Sequence, residues 1–146
     1  MIHIGLEKLE YKVRFLKSCY YPFSFSDERR DTKILFGACF GIWLYNNSIR
    51  IAFRPSENRL DMIDLFRVVY SDGFEEIKHI GNVEIEKDYT IKVIFEHYNN
   101  VYRIQVASED KFLPQLNICK NFKYPSIPLG YTIKKNHGDK IFLERQ

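Results

Sequence analysis

Trp43, Arg50 and Arg54 form the grouping in this 146-residue chain with the most to offer chemically. They lie in Phe36-Gly37-Ala38-Cys39-Phe40-Gly41-Ile42-Trp43-Leu44-Tyr45, followed by Asn46-Asn47 and then Ser48-Ile49-Arg50-Ile51-Ala52-Phe53-Arg54-Pro55. With Asn46-Asn47 as a two-residue turn, Leu44 faces Ile49, Ile42 faces Ile51 and Phe40 faces Phe53, one wholly apolar side that must be core. The reverse side pairs Tyr45 with Ser48, Trp43 with Arg50, Gly41 with Ala52 and Cys39 with Arg54. Small residues between an aromatic plane and guanidinium groups make a strip that can stack a sugar or a base and bond its hydroxyls or an acidic group. The candidate ligand-binding residues are therefore Trp43, Arg50, Arg54 and Tyr45. The competing structural reading is that Trp43 stacks on Arg50 as a cross-strand cation–π pair, or packs into a second core layer.

Catalytic chemistry has less to stand on. His3, His79, His97 and His137 show no metal-ligand spacing, with no HExxH and no neighbouring Cys pair. Asp61 and Asp64 point to opposite faces of a strand, and solvated alternation accounts for Glu84 and Glu86 without glycosidase chemistry. Cys39 beside Arg54 would be an activated thiolate if the cation lowered its pKa, but no positioned base accompanies it. No Gly-rich phosphate loop or nucleophile elbow occurs. The expectation is a noncatalytic protein with no metal and no cofactor.

The elements that position these residues are strands. Twelve Phe, ten Tyr and one Trp make the chain 16% aromatic, against seven Gly and five Pro, and broad rings suit a pleated, half-buried surface. Short alternating runs separated by Asn, Asp, Ser and Gly recur about every ten residues. Strands are predicted at Tyr11 to Ser18, Leu35 to Tyr45, Ser48 to Arg54, Leu60 to Tyr70, Phe74 to His79, Val83 to Glu86, Tyr89 to Tyr98, Val101 to Val106, Leu129 to Lys134 and Lys140 to Leu143. Long connections are expected at Tyr20 to Thr32 and at Glu109 to Pro128, the latter with three prolines. The fold class is all-β, a single antiparallel sandwich of about eight to ten strands, jelly-roll-like.

Two more hairpins can be registered. About Asn99-Asn100, His97 faces Tyr102, Phe95 faces Ile104 and Val93 faces Val106 on a core side, with Glu96 facing Arg103 on the other. This makes His97 a packed rim histidine. About Asp72-Gly73, Tyr70 faces Glu75, Val68 faces Ile77 and Phe66 faces His79, with Val69 opposite Glu76. That register also sets Arg67 against Lys78, which is unfavourable, so a three-residue turn or a bulge is an alternative.

Net charge is +3, too small to imply nucleic acid. The C-terminal stretch from residue 111 is the basic part, with seven cations to two anions; it would suit an acidic partner or a phosphate backbone, and a solvated face is the preferred reading. Three cysteines without a CxxC pair fit free thiols in a reducing compartment. No signal peptide or transmembrane run is read, so the expected location is cytoplasmic.

Phe36-Gly37-x-x-Phe40-Gly41, leading to Asn47-Ser48-x-Arg50-Ile51-x-x-Arg54-Pro55 and a late Leu129-Gly130-Tyr131, resembles small β-sandwich proteins of Bacteroides-type bacteria and their mobile elements. The resemblance covers about three-quarters of the chain and implies a jelly-roll-like sandwich with no activity attached. The aromatic Gly-Gly segment that follows Leu-Gly-Tyr in those relatives is replaced here by Thr132 to Gly138, so no ligand site is carried over. The expected role is noncatalytic recognition of a carbohydrate or small ligand through the aromatic and arginine face. The alternative is a protein-interaction protein of a phage or mobile element, a virion component or an inhibitor of a host enzyme or defence system. It would use aromatics of the Tyr20 to Phe25 and Phe112 to Tyr131 loops.

Overall fold

A computed structural model of the chain describes residues 8–17, 32–40, 47–56, 59, 61–96, 101–119, 126–129 and 141–146. The described strands are β1 (Lys8–Phe15), β2 (Lys33–Phe40), β3 (Asn47–Pro55), β4 (Met62–Ser71), β5 (Phe74–Glu84), β6 (Asp88–Glu96), β7 (Val101–Ala107), β8 (Leu116–Cys119), β9 (Ser126–Leu129) and β10 (Ile141–Arg145). They build two antiparallel sheets, a first in the order β10-β1-β6-β7-β8 and a second in the order β5-β4-β3-β2-β9. The all-β sandwich read from the sequence is formed. Strands β2 to β5 and β6 to β8 are meanders. The late strands β9 and β10 return to the outer edges of the early strands β2 and β1, the long-return connection of Greek-key sandwiches.

Alternation places the core. Leu9, Tyr11, Val13 and Phe15 of β1, Tyr89, Ile91, Val93 and Phe95 of β6, and Tyr102, Ile104 and Val106 of β7 point inward from the first sheet. Phe36, Ala38 and Phe40, Ile49, Ile51 and Phe53, and Ile63, Leu65 and Val69 meet them from the second. Each large apolar side chain among them contributes about 1.5–3 kcal/mol on burial. Tyr89 keeps its hydroxyl satisfied by accepting a 3.0 Å hydrogen bond from the Glu84 amide.

Several boundaries differ from the sequence reading. The runs at Phe74 to His79 and Val83 to Glu86 fuse into β5, bent by a register shift between Leu65 and Phe66 of β4 that leaves Ile80 as the extra residue. Glu86 has φ 64° in the turn after β5, so it does not share a strand face with Glu84. The expected connection from Glu109 to Pro128 contains β8 and most of β9. Among the described residues, no helix is long and apolar enough to cross a membrane.

The three hairpins test the register readings. Asp72 and Gly73 take φ of 50° and 85°, the two positive values of a type I′ turn. All the pairs expected across them are formed, from Tyr70 with Glu75 to Phe66 with His79. Arg67 does oppose Lys78, but its guanidinium turns to Glu76, Nη2 to Oε1 at 2.6 Å. The other two registers are corrected. Phe95 faces Tyr102 and Val93 faces Ile104, two residues from the expected pairing, and the turn together with His97 and Tyr98 lies outside the described residues. Arg103 still reaches Glu96, Nη1 to Oε1 at 2.6 Å, now on a diagonal. In β2 and β3, Ala38 rather than Leu44 faces Ile49, and Cys39 faces Ser48 rather than Arg54.

An ion-pair clamp ties β1 to β6. Arg14 donates to Asp88 through Nε at 2.6 Å and Nη2 at 3.1 Å, and Lys12 lies 3.6 Å from the same carboxylate. The hydrogen bond from Arg14 holds the Asp88 carboxyl below its ordinary value. A carboxyl depressed in the folded state contributes stability that is present above its unfolded pKa of about 3.9 and is lost as pH falls through the lower folded value. Melting temperature measured from pH 5 downward should therefore fall less steeply for Asp88→Asn than for the parent chain. Parallel acid limbs would sink this reading.

Candidate functional site

The inward face of the second sheet is consumed by the core, so its recognition chemistry lies on the outward face. Antiparallel pairing lines up four rows there. Cys39, Ser48, Tyr70 and Glu75 make the first, and Gly37, Arg50, Val68 and Ile77 the second. Ala52, Phe66 and His79 make the third, and Arg54, Asp64 and Asn82 the fourth. Period two puts Arg50 and Arg54 on this face together, as their spacing requires.

Each arginine lies on an aromatic ring. The Arg50 guanidinium carbon sits 5.0 Å from the centre of the Tyr70 ring, and Arg54 sits 5.0 Å from that of Phe66. Arg50 also donates from Nε to Ser48 Oγ at 3.2 Å, and the Tyr70 hydroxyl donates to the Glu75 carboxylate. Phe66 meets the His79 ring edge-on at 5.3 Å. Asp64 accepts a 2.5 Å hydrogen bond from Asn82 Nδ2 and lies 3.4 Å from His79 Nε2. The face is thus two guanidinium–aromatic stacks, each continued by a polar residue of β5.

Burial divides it in two. Cys39, Ser48 and Ala52 are fully buried, and Arg54 and Asp64 are only 7% and 9% exposed. Arg50, Phe66 and Tyr70 are half-buried, while Glu75, Ile77 and His79 are exposed. Access is therefore from the β5 side.

Of the four residues expected to bind ligand, Trp43 and Tyr45 lie outside the described residues. Arg50 and Arg54 share a face as expected, but with different neighbours. Arg50 pairs with Gly37 rather than with Trp43, and the two strands approach so closely there that a Cβ at Gly37 would stand 2.9 Å from Arg50 Cα. Arg54 is not the accessible end of the strip: it is buried over Phe66 and opposite Asp64. Cys39 is corrected too. Burial pushes its thiol above the ordinary value, outweighing the Arg50 charge, so it is a packed thiol and not an activated one. Native protein should leave Cys39 unmodified by iodoacetamide, and unfolding in guanidinium should expose it. Rapid labelling of Cys39 under native conditions, read by peptide mass spectrometry, would contradict its packing.

Sequence reasoning missed Asp64, Phe66, Tyr70, His79 and Asn82 as members of the site. The Asp72-Gly73 register already held half of the signal, since it set Tyr70, Phe66, Glu75 and His79 on one side. What it lacked was the β3–β4 pairing, which residues 56–61 connect without a tight-turn signature.

Elsewhere, a concavity of about 400 Å³ is bounded by Arg14, Glu86, Lys87, Asp88, Glu109 and Asp110. Its charges serve one another: Lys87 bonds Asp110 at 2.8 Å and Glu84 at 3.0 Å, and Glu86 accepts the Lys17 amide at 2.8 Å. Those two carboxylates raise the Lys87 pKa, and Lys87 lowers that of Asp110. Among the described residues, no three His, Cys, Asp or Glu side chains converge on a point that could hold a metal ion. The chain matches no protein-family model, and no curated protein matches it.

Proposed function

We propose that the protein is a noncatalytic binding module of β-sandwich type, which recognises a carbohydrate or similar small polar ligand on the outward face of its second sheet. The observation that carries this reading is the pair of guanidinium–aromatic stacks, Arg50 on Tyr70 and Arg54 on Phe66, on a face the sandwich core does not use. Arg54 and Asp64, buried and held, fix the floor. Arg50, Tyr70, Glu75 and His79 lie at its accessible side and supply what a sugar needs, an apolar edge and donors and acceptors for hydroxyls. Trp43 and Tyr45, which precede β3 in the sequence, remain the expected aromatic additions to this face.

The test is a glycan array followed by calorimetric titration of any hit against the parent chain, Arg50→Ala, Tyr70→Ala and Trp43→Ala. At least a tenfold loss of affinity is expected for Arg50→Ala and Tyr70→Ala, the cost of about one good contact. A hit that neither substitution weakens, or an array with no hit, would overturn the reading. One observation favours a protein partner instead: Phe74 and Phe112 are 80% and 81% exposed, and large exposed rings are the usual anchors of protein interfaces. Retention of a stoichiometric partner by the parent chain and its loss in Phe112→Ala would support that second reading.

A further inference from the structure

The outward face of the first sheet presents a separate set of recognition groups around Phe112. Pairing sets Thr90, Ala107 and Phe112 in one row and Ile94, Arg103 and Asn117 in another, with Gln105 of β7 between the two rows. These positions alternate with Ile104, Val106 and Ile118, which enter the core, so they share the outer face. The Phe112 ring is 81% exposed, although the turn that carries it is held at several points. The Ser108 amide donates to the Lys111 carbonyl at 2.8 Å, and the Leu113 amide donates to the Val106 carbonyl at 3.0 Å. Asp110 accepts from Ser108 Oγ at 3.0 Å and pairs with Lys87 Nζ at 2.8 Å, and Leu113 packs against the core. A ring displayed from a turn closed in this way gives up little freedom when it binds.

A chain of amides shares the face with the ring. Gln105 Nε2 donates to Gln115 Oε1 at 2.7 Å, and Gln115 Nε2 donates to Asn117 Oδ1 at 2.9 Å. The chain has a direction, so it leaves an acceptor, Gln105 Oε1, at one end and the donors of Asn117 Nδ2 at the other. Gln115 and Asn117 are exposed and Gln105 is half-buried. The two cations beside these amides are already paired, Lys92 at 4.0 Å from Glu10 and Arg103 at 2.6 Å from Glu96. A ligand therefore meets an open ring together with neutral, oriented donors and acceptors. A pyranose matches both, through its C–H face and its hydroxyls. A protein interface gathers further large apolar side chains at its centre, whereas the row of Phe112 continues into Ala107 and Thr90.

We infer that Phe112, with Gln105, Gln115 and Asn117, forms a second site, for a neutral oligosaccharide, on the outward face of the first sheet. The rows of Phe112 and Asn117 are four residues apart along β7, about 13 Å, so the site follows a sugar chain and not a single ring. It lies on the opposite outer face of the sandwich from Arg50 and Tyr70, and it stands whether or not that face binds sugar.

Affinity electrophoresis of the full chain through gels containing β-glucan, xyloglucan, mannan or dextran tests the site, with polygalacturonate as the acidic comparison. Retardation by at least one neutral polymer is expected, and Phe112→Ala should weaken it about tenfold or more. Asn117→Ala should weaken it several-fold, and Phe112→Trp, which keeps a ring, should retain it. Melting temperatures should stay near that of the parent, because Phe112 and Asn117 are exposed. Calorimetric titration with an oligosaccharide cut from the retarding polymer should then give an affinity that Arg50→Ala and Tyr70→Ala leave in place. Binding lost in those two variants but kept in Phe112→Ala belongs to the second sheet and overturns this site. No retardation by any neutral polymer, or stronger retardation by polygalacturonate, overturns it as well. So does release of a protein partner by Phe112→Ala with no change in sugar binding, which would assign the ring to a protein interface.

Discussion

Phe40→Ala should lower the melting temperature by about 10 °C or more, from a loss of about 3–5 kcal/mol. Phe40 is on β2 of the second sheet, and its ring packs edge-on against Phe95 at 5.9 Å and Tyr102 at 5.7 Å, on β6 and β7 of the first. Those two rings also meet each other edge-on, at 5.7 Å. The triangle is therefore a direct bond between the two layers, and all three residues are buried. Alanine would leave a cavity facing two rigid aromatic rings, neither of which can collapse into it without breaking its contact with the other. Phe40→Leu, which keeps most of the volume, should cost less than half as much. Denaturant unfolding of the two variants checks both numbers, and a shift below about 3 °C for alanine would show that the triangle does not join the sheets as described.

Gly37→Ala should cost about 2–3 kcal/mol although it adds a single methyl group. A Cβ there would stand 2.4 Å from the Ile49 carbonyl oxygen and 2.9 Å from Arg50 Cα. Both obstacles are backbone atoms of β3, so no side-chain rotation relieves the clash and the strands must separate. The effect reaches the site, because Arg50 lies over Gly37 on its way to Tyr70. Thermal unfolding of Gly37→Ala beside Arg50→Ala separates the two roles. The glycine variant should be the less stable, and both should lose affinity for any ligand of this face. A glycine variant as stable as the parent would mean that β2 and β3 are not held this closely.

Both residues belong to the Phe-Gly-x-x-Phe-Gly segment, which the sequence marks as informative for another reason, its lead into Trp43. The inward positions of β3, β6, β7 and, from Phe36 onward, β2 are those that alternation assigns, with Phe40, Phe53, Phe95 and Tyr102 in the core. The partners across the strands are not: from Phe36 onward β2 against β3 is six residues from the expected pairing, a bulge at Leu35 adding one more before it, and β6 against β7 is two. Outside the bulge both displacements are even, so neither moves a side chain to the other face. Hydrophobic pattern penalises odd slips and is blind to even ones.

Where local chemistry does fix register, sequence and structure agree pair by pair. Asp72-Gly73 takes the positive φ angles that few other dipeptides tolerate, and the ladder from Ser71–Phe74 to Phe66–His79 follows from it. The like-charge opposition of Arg67 and Lys78 argues against that ladder on the strand alone. It is tolerated because Glu76, two residues from Lys78 on the same face, takes the guanidinium.

Composition and period-two alternation by themselves determine that this chain is an all-β sandwich, which residues enter its core, and that Arg50 and Arg54 share the face opposite to it. These are properties of single strands, set by the pleat and by the cost of exposing apolar rings. Tertiary structure alone decides which aromatics the arginines meet, Tyr70 and Phe66 of β4, that Arg54 and Cys39 are buried, and which strands of the described sheets become neighbours. The first two depend on the last, and the connections that choose the neighbours, unlike Asp72-Gly73, carry no short-range geometry that dictates a single pairing.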